Sequence, residues 1–563
     1  MKTSKAKQLC AVALAATLGL SVLTGCGGSK TSDKAGTTAS KSKQELVYNL
    51  AADPKTLDPA LNQAVDGSIV AANIFSGLCD LDDKDKAIPG QAEKWEVSPD
   101  GLKYTFHLKK DLKWSNGDPL KASDFEYSWK RVLDPKTASV YSFQLLYIKG
   151  ATEYNKAKNK TEEEMKALKD AVGVKATDDT TLVVELAAPC PYFLELTAFT
   201  TYFPVNQKVV EANKDWAKDA KTLVSNGPFK MTDYKIKDQI VLEKNENYVN
   251  KDKVKLDKIT MKMVTEDTSA WASYKTGQFD MIDKVASSEI VQAVKDKTAI
   301  TFPNLGTQFI DINVSEKAKE IDPNVAKVLS NAKFRQALAN AIDRQIIVDN
   351  VLKSGQTPAF SFVSTGINDP EGKDFTSKKY FEPKGDIEKA KKLLAEAGYP
   401  DGQGLPPLVV LYNPEGGNGE LYQAIQDMWK KIGVNVELQT QEWKVFQATR
   451  NDLKYQMARG AWSADYADPM TFIDMWVSDS PNNEIGYNNS EYDKLVASAK
   501  AETDAKKRFE MMHKAEDILM EDMPIIPLYY STYTKGIKDY VKGVRVSPLG
   551  PVYFDKAYIE GKK

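Results

Sequence analysis

Residues 405–442 read as strand, helix and strand without interruption. Leu408–Tyr412 (LVVLY) is a continuous apolar run, and residues 419–433 (GELYQAIQDMWKKIG) carry a helical period. Val434, Val436 and Leu438 then alternate with polar residues, as a half-buried strand does. Two strands joined through a helix make a parallel crossover, which needs a sheet with helices packed on it. The fold class is therefore α/β. At 563 residues the chain has room for two to four domains of ordinary size. No period of 20–50 residues recurs, which argues against a solenoid. No long low-complexity linker interrupts the body, so its lobes pack together or are joined by strands running between them.

Other segments fit this reading. Ser123 and Glu126 form a capping box before Phe125, Trp129 and Val132, and Asp134-Pro135 stops that helix. Asp386 caps the run IEKAKKLLAEAG, with Gly398 as terminator. Phe334–Leu352 carries a long amphipathic pattern, and Lys103–Leu108 and Thr181–Leu186 read as strands.

The N-terminus speaks to location. Lys2, Lys5 and Lys7 precede an apolar stretch from Leu9 to Leu23, about 15 residues and short of the roughly 20 a membrane span needs. It ends in Leu23-Thr24-Gly25-Cys26, which resembles a bacterial lipobox. Residues 1–25 are expected to be cleaved as a signal peptide and Cys26 to carry acyl chains, several of which give durable anchoring. Residues 26–44, rich in Gly, Ser, Thr and Lys, form a flexible tether with a reach of about 20–25 Å. The mature chain then carries 73 basic and 78 acidic groups, net −5. Cys79 and Cys190 remain, and whether they pair is left open.

Many chemistries are excluded. With only two histidines, His107 and His513, a His-rich metal site cannot be built. His107 lies in the alternating strand KYTFHL and His513 in the helical run RFEMMHKAEDIL, both structural settings. There is no nucleophile elbow, phosphate loop or dinucleotide turn. Asp80–Asp85 (DLDDKD) fails the calcium-loop pattern at Lys84, Asp85 and Gln91 and reads as a solvated hairpin turn. The near-neutral charge offers no footprint for nucleic acid.

What survives is the stretch from Gln441 to Trp476. It holds Trp443, Trp462 and Trp476, with Trp429 just upstream, and sets Asp465 and Asp468 among aromatics with Arg450 and Arg459 nearby. Aromatic walls with a few placed charges suit an extended polar ligand in a partly desolvated cleft. A tryptophan-rich core with surface ion pairs would look similar.

Taken in order, ADPKTLDPA, AEKWEVSPDGLKYTFHLKKDLKWSNGDPLKASDFEYSWKRVLDPKTAS, SNGPFK, LEKNENYVN, FRQALANAIDR, AKKLLAEAGYP, EWKVFQATR, WSADYADPMTF and MPIIPLYY resemble the extracellular solute-binding proteins of peptide ABC importers, family 5. The likeness spans nearly the whole mature chain. It implies a two-lobed α/β clamp with an extra domain, hinged on two crossover segments. Residues 45–78, 204–300 and 533–563 would form the N-terminal lobe, 79–203 the extra domain and 301–532 the second lobe. It also implies that Asp465 holds a peptide's α-amino group and that backbone groups of Ala461–Ser463 pair with the ligand as an added strand. Trp462 and Trp443 would line side-chain pockets. Arg450 and Arg459 match positions associated with the ligand's C-terminal carboxylate, though either could serve a structural ion pair. Tyr141, in TASVYSF, is a further hydrogen-bonding candidate. The loop NPEGGNGEL lacks a histidine that some members carry, and Gln308 and Phe309 stand where tyrosines are common.

The resemblance further implies a monomer on the outer face of the cell membrane, as in Gram-positive bacteria, held there only by its lipid. Its partners would be oligopeptides and the permease subunits, with no cofactor, nucleic acid or turnover. The same fold could instead serve a dipeptide, signalling peptide, oligosaccharide or nickel complex. A peptidase using Asp465 and Asp468 is the enzymatic alternative.

Overall fold

The computed structural model describes residues 43–414 and 417–562. The signal segment, Cys26 and all but the last two tether residues lie outside them. The crossover predicted at residues 405–442 forms as strand Leu408–Tyr412, helix Asn418–Lys430 and strand Val436–Thr440. The two strands pair in parallel, Leu408 opposite Val436, and Leu408–Tyr412 also pairs in parallel with Met457–Ser463 on its other side. A strand with parallel neighbours on both sides sits inside the fold, which is why the run is apolar throughout. The helix closes over it with Leu421, Tyr422, Ile425, Met428 and Trp429, all buried.

These strands belong to one 11-stranded sheet. From Met457–Ser463 it continues through two long antiparallel strands, Ile300–Ile312 and Ile525–Ile537, 13 residues each. It goes on through Met281–Ile282, Glu45–Asn49, Lys258–Lys262, Gln239–Lys244 and Phe229–Lys235. At about 3.3 Å per residue each long strand runs about 40 Å. Thr307–Asp311 lies beside Met457–Ser463, whereas the far end of the second strand, Gly536 and Ile537, pairs with Met281 and Ile282. Two strands thus pass from one lobe to the other, and the fold is a two-lobed α/β clamp. Midway, between Pro303 and Thr307, their register shifts. Gly306 sits in that bulge, where a Cβ would fall 2.3 Å from Asn304 Oδ1.

A separate four-stranded antiparallel sheet is formed by Ala92–Val97, Lys103–Leu108, Thr181–Glu185 and Val174–Asp178. Helix Ala122–Leu133 buries Phe125, Trp129, Val132 and Leu133 and stops before Asp134-Pro135. Its N-terminus differs from the predicted box. The cap is Lys121, whose backbone N–H donates to the Asp124 carboxylate (2.9 Å), while Glu126 instead accepts from Ala176 N (2.8 Å) and pairs with Lys130. The carboxylate of the predicted box is thus taken by the neighbouring sheet.

Asp386 caps Ile387–Glu396, accepting from Lys389 N at 2.9 Å, as expected. The single helix read over Phe334–Leu352 is instead broken into Ala332–Asn340, a short turn Arg344–Ile346 capped by Asp343, and a wider π-helical turn Ile347–Leu352. Asp386 N takes the Asn340 carbonyl at 2.7 Å, so the helical ladder loses that acceptor.

Cys79–Leu81 and Ala87–Pro89 form the predicted hairpin. Its turn is only partly solvated: Asp85 is buried against Arg545 and Ser547. Cys79 and Cys190 are free and buried. His107 lies 3.4 Å from Glu96 of the neighbouring strand, and His513 stacks on Phe375 with centroids 3.9 Å apart. No helix among the described residues is long and apolar enough to cross a membrane.

Candidate functional site

A cavity of about 190 Å³ lies where the strand Met457–Ser463 runs out into the loop carrying Asp465. One wall is Trp462, Ser463, Ala464 and Asp465. Facing it are Tyr141, the start of helix Val65–Ile74 with Ser68 and Ala72, and Phe199 and Phe203. Leu549 and Tyr553 close a further side.

Two carboxylates line this cavity, Glu195, which has Lys86 3.8 Å away, and Asp465 just past the end of the strand. One oxygen of Asp465 accepts from Gln144 Nε2 at 2.7 Å, and its backbone N–H donates to Thr471 Oγ1 at 3.2 Å. Among the described residues no lysine or arginine forms an ion pair with it. Burial, reinforced by the charge of Asp474, pushes its carboxyl from 3.8 up to about 8, against the lowering pull of Gln144. The Asp465 charge in turn is the main reason that the Tyr141 phenol is held well above its usual value, burial adding to it.

The neighbouring Asp468 is treated in the opposite way. Arg508, 2% exposed, donates from both terminal nitrogens to its two oxygens at 2.8 and 2.7 Å. That fork, with Met470 N–H donating to Oδ1 at 2.9 Å, commits Asp468 to holding the loop. Between them Tyr466 stacks on Tyr192, centroids 4.3 Å apart, fixing the loop against the segment that follows the four-stranded sheet.

The strand leading to Asp465 has an open edge. On one side Ser463, Trp462 and Ala461 lie opposite Gly306, Thr307 and Gln308. On the other, pairing with Leu408–Tyr412 covers only Met457 and Ala458. Among the described residues no strand pairs with the second edge of Arg459–Ser463. Backbone groups there are available to an extended chain.

Of the residues singled out by sequence, Asp465, Trp462, Ser463 and Tyr141 come together around the cavity. Ala461 lies on the same strand but does not line it. Trp443 stands apart, 40% exposed on helix Trp443–Asn451 and stacked on Phe446. The two arginines separate. Arg450 is held by Asp311 (2.8 Å) and Glu484 (2.5 Å), the structural ion pair. Among the described residues Arg459 has no such carboxylate: its guanidinium donates to Gln308 Oε1 at 2.9 Å, and its Nε is buried with no acceptor. Phe309, the other departure noted above, is core, packed edge-on against Phe362 and Trp476.

Sequence reasoning missed Gln144, the Ser68–Ala72 face, Phe199, Phe203, Leu549 and Tyr553. Only Gln144 left a signal. It stands three residues after Tyr141 in the 3-10 turn Val140–Leu145, and side chains at that spacing eclipse. Among the described residues no group of three or more His, Cys, Asp or Glu side chains is placed to hold a metal.

Residues 86–484 match the family described as bacterial extracellular solute-binding proteins, family 5, middle part. This chain belongs to that family. Members work outside the cytoplasm as binding proteins. The oligopeptide-binding protein OppA of Bacillus subtilis is 38% identical, with 96% of this chain and 97% of the relative covered. The dipeptide-binding protein DppE of the same organism is 36% identical, with 97% and 98% covered. The crystal structure of Haemophilus influenzae OppA in complex with RPPGFSPFR superposes with a TM-score of 0.78 at 34% identity, covering 92% of this chain and 99% of that one.

Proposed function

We propose that this chain captures oligopeptides outside the cell and delivers them to the permease of an ABC importer, the peptide enclosed between the lobes with its α-amino group on Asp465. The observation that carries this reading is the Asp465 carboxylate, placed in a cavity without a cation of its own. A charge so desolvated is costly unless paired, and a peptide N-terminus brings a positive charge and three donors. The open edge of Arg459–Ser463 supports the second element, pairing of the ligand backbone as an added strand, which gives affinity whatever the side chains. Trp462 walls that path. Of the two arginines, Arg459, whose Nε has no partner among the described residues, is the one available to the ligand's C-terminal carboxylate; Arg450 is already neutralised. Trp443, exposed near the end of the same lobe's sheet, would meet a ligand only by moving or with a long peptide.

The names of the relatives support peptide as the ligand class, the OppA proteins and the RPPGFSPFR complex favouring oligopeptides. Because a dipeptide-binding relative is nearly as similar, a dipeptide is the second reading. In our division of the clamp, residues 45–78, 204–300 and 533–563 form the first lobe, 79–203 the extra domain and 301–532 the second lobe. The protein acts as a monomer, anchored through acylated Cys26 to the outer face of the membrane. Replacing Cys26 by Ala should release the protein into the medium and abolish labelling by a palmitate analogue.

Native mass spectrometry of the freshly purified protein tests the ligand class. Adducts with the masses of peptides of three or more residues are expected. Adducts of dipeptide mass alone would favour the second reading, and a sugar or metal complex would refute both.

A further inference from the structure

Asp465 receives a hydrogen bond from Gln144, 321 positions away and, in the division proposed above, in the extra domain where Asp465 is in the second lobe. Gln144 is 1% exposed and sits in the 3-10 turn Val140–Leu145, between the strands of the four-stranded sheet in sequence. Its backbone carbonyl accepts from Tyr202 Oη at 2.6 Å, and Tyr202 is itself packed edge-on against Trp129. The side chain is thereby aimed across the cleft, with Nε2 2.7 Å from Asp465 Oδ2.

We propose that Gln144 is a positioning residue of the amino-terminus anchor: from the extra domain it fixes one Asp465 oxygen, leaving the other, and the whole negative charge, for the ligand's ammonium. This rests on the Asp465 reading above. A neutral amide suits the task in a way a cation would not. It donates to the carboxylate and orients it, yet leaves the site short of one positive charge, which only a free amine then supplies. Gln144 and Asp465 fall in different parts of the division proposed above, so the anchor is complete only while those parts are in contact. The titratable and polar groups around Asp465 are Gln144 and Tyr141 on the turn, Glu195 in the cavity wall with Lys86 3.8 Å from it, and Asp474 on its own segment with Lys500 paired to it at 3.2 Å.

The test uses calorimetry on the full chain with tri- to hexaalanine and their N-acetyl forms, for wild type, Gln144→Lys and Gln144→Leu. Wild type should prefer free over acetylated amines by about 100-fold or more, the loss expected when a buried charge goes unpaired. Gln144→Lys places an ammonium of the protein's own on Asp465. It should weaken free-amine binding at least tenfold and bring the free-to-acetylated ratio below about 10. Gln144→Leu keeps the charge deficit, so discrimination persists. Losing a donor that favours the ionised carboxylate, it should move the acid-side midpoint of binding to higher pH. If wild type discriminates but both variants match its affinity within twofold, its ratio and its pH midpoint, Gln144 does not position the anchor. If wild type itself fails to discriminate, it is the Asp465 reading that fails, and this proposal with it.

Discussion

Arg508 grips both oxygens of Asp468, three residues beyond Asp465, which has no such partner. One loop thus carries two carboxylates with opposite assignments, one consumed in holding the loop and one that faces the cavity with no lysine or arginine paired to it among the described residues. The peptidase alternative needed both free, and Asp468 is not.

Removing Arg508 should damage the fold. Arg508→Met leaves Asp468 buried and unpaired, at a cost of about 3–5 kcal/mol, read as a lowered midpoint in chemical denaturation. Tyr192 also loses the guanidinium that lies over its ring, 5.4 Å from the centroid.

Asp465 should trade stability for binding. In the folded protein its carboxyl keeps a proton up to about pH 8, whereas in the unfolded chain it loses it near 3.8. The folded state therefore holds the extra proton between those values, and this group's contribution falls as pH rises through that window. Asp465→Asn should stabilise the ligand-free protein at pH 7.5 by about 1–2 kcal/mol, a gain typical of neutralising a functional site. A melting temperature lowered at that pH would contradict this.

Binding should show the same proton. Below pH 8, pairing Asp465 with an ammonium requires releasing it, so affinity should climb with pH by up to about tenfold per unit and pass a maximum near 8. Above that it should fall again as the free peptide's α-amino group, with an ordinary pKa of about 7.7–8.0, loses its own proton. Calorimetry in two buffers of different ionisation enthalpy should register close to one proton released at pH 6.5 and, at pH 9, a proton taken up instead, because the free amine must be protonated to pair.

The two arginines near the strand should respond differently. Arg450→Met strands Asp311, which is fully buried, and should cost about 3–5 kcal/mol of stability. Arg459→Met should leave stability within about 1 kcal/mol and instead weaken free-carboxylate peptides about tenfold more than their C-terminal amides.

How far these features could be read in advance followed how local their causes are. The crossover at 408–440 and the Asp386 cap depend on periodicity and a single hydrogen bond within one turn, and both were legible. The helix break after Asn340 was not, because its cause is Asp386 N, 46 residues away. The same holds for Glu126, drawn off by Ala176. In the site, Asp465 and Trp462 announced themselves in one short segment, with Tyr141 joined to them through the resemblance. Phe203 and Tyr553 arrive from distant segments whose apolar residues look in sequence like any other core. Arg450 and Arg459 were equivalent as letters, and only the position of Asp311 told them apart.

The most direct test of the whole account is a matched-pair titration by calorimetry of wild type and Asp465→Asn at pH 8, using one tight-binding peptide with a free and an acetylated N-terminus. Wild type should bind the free form about 100-fold or more tightly than the acetylated one, and Asp465→Asn should lose most of that preference. Equal binding of the two forms by wild type, or full discrimination by the variant, would contradict the claim that Asp465 holds the ligand's amino group.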